Sequence, residues 1–375
     1  MTERVLITGG AGFIGSHLAD TLVSTGREVV VYDNLTPQVH GDSGQRPVYL
    51  SSDIELVVGD VRDADALAPQ LRSADVVIHL AAAVGMAQSQ YQIRHYTDVN
   101  VMGVANLLQL LADDRGRVRK LLVASSMSVY GEGSYRCAQH GIVAPRLRSE
   151  ARLAAHAWEV TCPRCDGTLD ALPTTEDKAL FPTTVYAVNK RDHEELCLAV
   201  GAAYGIPTIA LRFFNVYGPR QALSNPYTGV AAIFCARLLN NHAPLIYEDG
   251  QQSRDFVHVS DLASACALAV ESPAADGNIL NVASGRRVRV REIAEILAAA
   301  LDRPQLRPEL TSTYRSGDVR HCFADISRAQ HLLGYEPQVR LEDGLVQLAS
   351  VVASQQPTDS IGKAAGELTA RRLAR

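Results

Sequence analysis

Residues 5–20 read VLITGGAGFIGSHLAD. An apolar β-type run enters Gly9, Gly10, Gly12 and Gly15, after which the apolar spacing changes to that of a helix. Glycines at such a junction let the backbone turn tightly and approach a pyrophosphate, whose charge rests on the helix amino terminus. Asp33 closes a second apolar run, EVVVYD, eighteen residues beyond Gly15. A carboxylate there holds the hydroxyls of an adenosine ribose and repels a 2′-phosphate, which points to NAD over NADP.

The same rhythm continues outward. IELVVGD (54–60), ADVVIHLAA (74–82), KLLVAS (120–125) and PTIALRFFN (207–215) read as strands buried on both faces. FIGSHLADTLVSTG, VNVMGVANLLQLLADD and YAVNKRDHEELCLAVGAAYG read as crossover helices between them. That alternation implies an α/β fold, a doubly wound parallel (Rossmann) sheet over 1–212. From 213 the rhythm loosens, which predicts a smaller α/β substrate-binding lobe over 213–243 and 263–353, with about 244–262 returning to the first domain. Residues 133–177 show no clear strand or helix period and read as an insertion between the fifth strand and its helix. Residues 354–375 lose core periodicity and are expected to form a mobile or weakly helical tail.

At 375 residues, 47% apolar and 21% charged, the chain is long enough to bury a sizeable core. A net charge of −5 without any run of like charge excludes a general attraction to nucleic acid or anionic membranes. The first residues enter a strand instead of a signal segment, and no apolar run reaches the roughly 18 residues of a membrane helix. The expectation is a cytoplasmic enzyme with no nucleic-acid or membrane partner, in which cysteines are thiols or metal ligands.

Cys197, Cys235, Cys266 and Cys322 stand singly among apolar residues and read as small core residues. The other three are patterned. YRCAQHG (135–141) separates Cys137 from His140 by two residues, and TCPRCDG (161–167) separates Cys162 from Cys165 by two. Both gaps have knuckle spacing. Three thiolates and an imidazole suit a tetrahedral structural zinc with no open position, His156 being the substitute for His140. Such an ion would supply folding energy to an otherwise irregular insertion.

TVYAVNK sets Tyr186 and Lys190 four apart, one turn apart on one face of a predicted helix. A phenol of pKa about 10 is a poor base at neutral pH, and a nearby ammonium together with oxidised nicotinamide would lower it. ASSMSVYG brings Ser126 to the carboxyl edge of the fifth strand.

These pieces together resemble the extended short-chain dehydrogenase/reductase family of sugar nucleotide epimerases and dehydratases, over about 1–350 apart from the insertion. The resemblance implies Ser126, Tyr186 and Lys190 as catalytic residues. It implies a cofactor surface of Gly9, Gly12, Phe13, Ile14, Gly15, Asp33, Asn34, Asp60, Val61, Leu80, Ala81 and Ala82, with Tyr186, Lys190 and the supporting Asn100 of YTDVNVMG. On the substrate side it implies Asn215 of RFFNVYGPRQ at the sugar diphosphate, Arg220 of the same stretch as a further substrate-binding residue, and Arg254 of GQQSRDFVHVSD at the nucleotide phosphate. Arg315 and Asp318 of YRSGDVRHCFADISRA fall at its ribose. Val84, Gly85 and Met86 would line the sugar, with Ser126 and Ser128 opposite. Small apolar residues there suit a 6-deoxy sugar.

Where the family's 4,6-dehydratases carry Thr, Asp and Glu before VYG, this chain has Ser126, Met127 and Ser128, which cannot supply the acid and base for loss of water. The resemblance therefore implies a nucleotide-sugar 4-epimerase acting through transient oxidation at C4. UDP-hexose and UDP-hexuronate 4-epimerases share these residues, a 4-ketoreductase would consume reduced cofactor instead, and a catalytically idle NAD-binding regulatory protein would keep only the fold. Relatives pair two helices into a four-helix homodimer interface. Here the stretches 98–113 and 186–203 carry surplus apolar residues: Leu107, Leu108, Leu110, Leu111, Leu196, Leu198 and Val200.

Overall fold

Seven strands make the central sheet of the computed structural model, which describes residues 2–375. In chain order they are β1 (Arg4–Thr8), β2 (Glu28–Asp33), β3 (Glu55–Val58), β4 (Val76–His79), β5 (Lys120–Ser126), β6 (Thr208–Phe213) and β7 (Ile279–Val282). They lie in the order β3-β2-β1-β4-β5-β6-β7, every neighbouring pair parallel. Central strands carry unbroken apolar runs because helices cover both faces, and every residue of β4 is buried. Helix α1 (Phe13–Ser24) and the helix Val259–Glu271 pack together on one face, while Ala64–Ser73, Gly103–Asp113 and Val185–Tyr204 cover the other. The winding reverses between β1 and β4, so a crevice opens at their carboxyl ends.

The smaller lobe has its own core, in which Phe234, Leu238, Ile293, Leu297, Leu345 and Leu348 interlock from the helices Val230–Leu239, Val290–Ala300 and Leu341–Val352. Ile279–Val282 does not belong to it, contrary to expectation. Its backbone continues the ladder beyond β6, with Leu280 facing Leu211, and it becomes the edge of the main sheet. The insertion is likewise more regular than its sequence suggests. Ser134–Cys137 sits between Gly141–Val143 and Leu169–Leu172 in an antiparallel three-stranded sheet, with a short helix at Glu150–Ala154.

The tail takes the helical of the two expected forms and is packed against the rest of the chain. Ile361–Ala370 is a helix that buries Ala364 and Leu368, and the residues after it pair with 314–316 through Tyr314 N–H to Arg375 O (2.8 Å) and Ser316 N–H to Leu373 O (2.9 Å). Of the apolar surplus on the two candidate interface helices, Leu107, Leu108 and Leu111 are buried inside the protomer. Met102, Val188 and Leu196 are the large apolar side chains exposed there. No helix among the described residues is long and apolar enough to cross a membrane.

Candidate active site

The glycine turn brings β1 and β4 into backbone contact. Gly9 has φ +69°, and a Cβ on it would lie 2.7 Å from the Ala81 nitrogen. A Cβ on Gly15 would lie 2.5 Å from Gly10 Cα, so the helix seats directly on the turn. Helix α1 starts after Gly12 with no side-chain cap and no acidic residue in its first turn, which leaves its amino-terminal N–H groups, those of Phe13 and Ile14 among them, to an anion. Asp33 accepts from the N–H groups of Ala11 (3.0 Å) and Leu35 (2.9 Å), one on each oxygen. Each oxygen keeps a lone pair for a ribose hydroxyl. This donor set fits a dinucleotide.

Asn34 and Asp60 are bonded to each other at 2.9 Å, and the Arg62 guanidinium beside Asp60 holds its carboxyl well below the usual range. Val61 packs where a side chain on Gly103 would stand. Leu80 and Ala81 continue β4 past the crevice: their N–H groups meet Thr8 O at 3.0 Å and Thr8 Oγ1 at 3.4 Å, with Ala82 next along the chain. Arg220, expected on the substrate side, lies against α1. It pairs with Asp20 of α1 at 2.7 Å and stacks over Tyr49, whose hydroxyl donates to Ala11 O. Asn100 acts one step removed. Fully buried in a π-helical turn, it clamps both backbone groups of Ala83 (2.8 and 3.1 Å), and its own carbonyl meets His193 Nε2 (3.0 Å).

Tyr186 lies in the first turn of the helix Val185–Tyr204, which Thr184 caps through the Ala187 N–H. Ser89 Oγ and Gln90 Oε1 accept the N–H groups of Tyr186 and Val185, so the loop after β4 fixes the helix start. Sequence reasoning missed these anchors, because a Ser and a Gln a hundred residues away carry no local signal. Ser126 closes β5, its Oγ accepting the Ser128 N–H at 3.2 Å, and its side chain lies on the Tyr186 side of the strand end, near enough to pull the phenol's pKa down.

Burial pushes Tyr186 up to about 12, and Ser126 pulls it down. The expected lowering is assigned to Lys190 together with oxidised nicotinamide. The Lys190 ammonium donates to Ala124 O (2.8 Å) and meets His193 Nδ1 (3.4 Å), and burial brings its pKa down to about 7. Below β5 a buried pair, Arg212 with Glu194, is bonded at 2.7 and 2.8 Å, and Glu194 also accepts from Ser125.

Toward the smaller lobe, Ser128 Oγ and Asn215 Oδ1 are buried without a partner inside the protein, as groups reserved for a ligand would be. Val84 is exposed beside the buried Gly85, which Tyr227 covers, and Met86 begins the short helix that carries Ser89. Arg254 is aimed by three carbonyls, those of Ser253 (2.8 Å), Arg320 (3.1 Å) and Val319 (2.7 Å). Arg315 pairs with Asp318 at 2.8 Å and lies over the Tyr247 ring. Tyr91 and Tyr227, which sequence reasoning did not single out, both donate to Glu367 of the tail helix at 2.7 and 3.1 Å.

The structure brings Cys137, His140, Cys162 and Cys165 together, their ligand atoms all within 4.8 Å of one another. His140 Nδ1 is 3.5 Å from the sulfurs of Cys137 and Cys162, and Cys137 is 3.7 Å from Cys165. A tetrahedron with metal–sulfur bonds of about 2.3 Å and a metal–nitrogen bond of about 2.0 Å has edges of about 3.8 and 3.5 Å. Burial raises the Cys162 thiol, but the neighbouring backbone N–H groups of Arg164 and Cys165 outweigh it and favour the thiolate, the form that binds a metal. His156, the alternative ligand, instead stacks on Trp158 at 5.0 Å.

The profile of the NAD dependent epimerase/dehydratase family matches residues 5–145 and 165–283, leaving out the middle of the insertion. A dTDP-L-rhamnose 4-epimerase of Burkholderia thailandensis is 36% identical over 94% of this chain and 96% of its own length. A UDP-glucose 4-epimerase of Mycolicibacterium smegmatis is 32% identical over 91% and 96%. Among solved structures, UDP-glucose 4-epimerase of Thermus thermophilus in complex with NAD superposes with a TM-score of 0.73 at 28% identity, covering 94% of this chain and 99% of that one.

Proposed function

The chain belongs to the NAD dependent epimerase/dehydratase family, and from that premise we propose that it is a nucleotide-sugar 4-epimerase whose substrate is dTDP-L-rhamnose and whose product is dTDP-6-deoxy-L-talose. The observation that carries the reaction class is Ser126 at the end of β5 near the Tyr186 phenol, with Met127 and Ser128 standing in place of an acid pair. Bound NAD, held by the glycine turn and Asp33, would supply the hydride acceptor at C4, the returning hydride and a positive charge beside the phenol.

The protein's own groups handle the proton and the orientation. Ser126 holds the C4 oxygen, and Tyr186 takes the hydroxyl proton as the 4-keto sugar forms and gives it back when the other face is reduced. The buried Lys190 connects this site to Ala124 O and His193. Asn215, with its free buried oxygen, and Arg254 hold the diphosphate end, and Arg315 and Asp318 the ribose. A neutral deoxy sugar suits the apolar Val84 and Met86.

The reading includes a structural zinc held by Cys137, His140, Cys162 and Cys165, and a homodimer through the exposed Met102, Val188 and Leu196. The decisive experiment incubates purified protein with dTDP-L-rhamnose, UDP-glucose or UDP-glucuronate without added cofactor and follows the sugar by NMR. Inversion at C4 of dTDP-L-rhamnose alone is the expected result. Inversion of a UDP-sugar in its place reassigns the substrate; turnover only with added NADPH indicates a ketoreductase, and no turnover a binding protein.

A further inference from the structure

The cysteine-bearing insertion reaches the nucleotide end of the site through continuous charged contacts. Glu159, three residues before Cys162, accepts from Arg320 Nε at 2.9 Å and meets His321 Nε2 at 3.2 Å. Arg320 is 1% exposed and also bonds Glu248 (3.1 Å) and Asp249 (2.6 Å), while His321 Nδ1 meets Ser253 Oγ at 2.8 Å. Arg148, from the same insertion, grips both oxygens of Glu248 at 2.8 Å and donates to the carbonyls of Trp158 (2.9 Å) and Asp318 (3.2 Å).

Two segments, 248–254 and 318–321, are thereby fastened to each other and to the insertion. They carry Arg254 and Asp318, and the carbonyls that aim the Arg254 guanidinium belong to them. The insertion has little with which to hold itself up. Its apolar core is Tyr135, Cys137, Val143, Val160 and Cys162, two of which are in the metal cluster. A core so small needs a staple.

We propose that the metal-stapled insertion is the outer wall of the nucleoside-diphosphate site, and that Glu159 is the positioning residue that aligns Arg254 and the Arg315–Asp318 pair through Arg320 and His321. The staple rests on the zinc reading above; the Glu159 contacts do not. The ligand recognised is the nucleoside diphosphate, so dTDP and UDP serve as probes. Full-length Glu159→Gln and the double variant Cys162→Ser, Cys165→Ser are compared with the parent by elemental analysis, bound-NAD content, calorimetric dTDP and UDP affinity, and steady-state kinetics.

Glu159→Gln is expected to keep its metal and NAD, to bind dTDP about tenfold more weakly and to raise KM in proportion, with kcat within about twofold. That split separates positioning from general loss of fold. The double variant is expected to lose metal and weaken dTDP at least as much. Parental nucleotide affinity in Glu159→Gln overturns the wall. Parental affinity in a folded, metal-free double variant overturns the staple's part in it. A parent protein without metal removes the zinc reading, and Glu159→Gln then judges the wall alone, as it also does if the double variant fails to fold.

Discussion

Tyr186 stands under two opposed influences, burial raising its pKa to about 12 and Ser126 lowering it. In that state the phenol keeps its proton at neutral pH, so its work as a base depends on positive charge placed against it. Tyr186→Phe removes the proton carrier without altering volume appreciably; turnover should fall by about 10²–10⁴ while NAD and dTDP binding persist, as single-turnover and calorimetric measurements would show. A loss below tenfold would disqualify Tyr186 as the proton carrier.

His79, fully buried with Nδ1 against Thr8 Oγ1 (2.8 Å), has its pKa brought down to about 3 by burial, with Lys190 acting in the same direction. His193, 5.5 Å away ring to ring, is shifted the same way by burial. Both are neutral when folded and gain protons when unfolded. The sign follows: stability is full above about pH 6.5 and falls as pH drops from there toward 3, each histidine adding a slope approaching about 1.4 kcal/mol per pH unit. Denaturant melts between pH 7 and 5 should show the decline, and His79→Gln should flatten it; an equal slope in the variant would contradict the assignment.

At the scale of elements, the helix Gly103–Asp113 buries Leu107, Leu108 and Leu111, Met102 just before it is exposed, and the helix Val185–Tyr204 exposes Val188 and Leu196. Val188→Glu with Leu196→Glu should convert a dimer to monomer in light scattering while leaving the core intact; a parent protein that is already monomeric would refute that interface. Such helices and the strands β1 to β6 were readable because two-sided burial demands apolar runs and the glycine turn marks where they start. β7 was misplaced for a physical reason. Asn281 lies inside it, fully buried, and is satisfied by Tyr130, Thr174 and Asp325, contacts that tertiary structure supplies and local pattern does not.

The insertion's strands hid similarly. They are three or four residues long, too short for a period to stand out from the polar residues around them. The cluster itself was legible, because knuckle spacing is local. The wall it supports was not: Arg148, Glu248 and Arg320 are each an ordinary charge in sequence and become a buried set only when folded. Breaking such a set by removing one partner costs about 3–5 kcal/mol. Arg148→Met should accordingly lower the melting temperature, by calorimetry, far more than a substitution at the exposed Arg340; equal shifts would show that the pairing contributes little.

At the scale of the molecule, the tail joins the loop after β4 to the smaller lobe. Glu367 holds Tyr91 from the loop after β4 and Tyr227 from the lobe, Arg371 lies over Tyr91, and 373–375 pair with the strip that bears Arg315. On the proposed reading, which sets the sugar against the loop after β4, substrate preference is shared by three segments distant in sequence. A chimera that imports only the 81–91 loop from a relative of different specificity would meet a tail shaped for the old one. Transfer of specificity should need the loop and the tail together, so inheritance of a new sugar in this lineage would proceed by coupled changes and not by single steps.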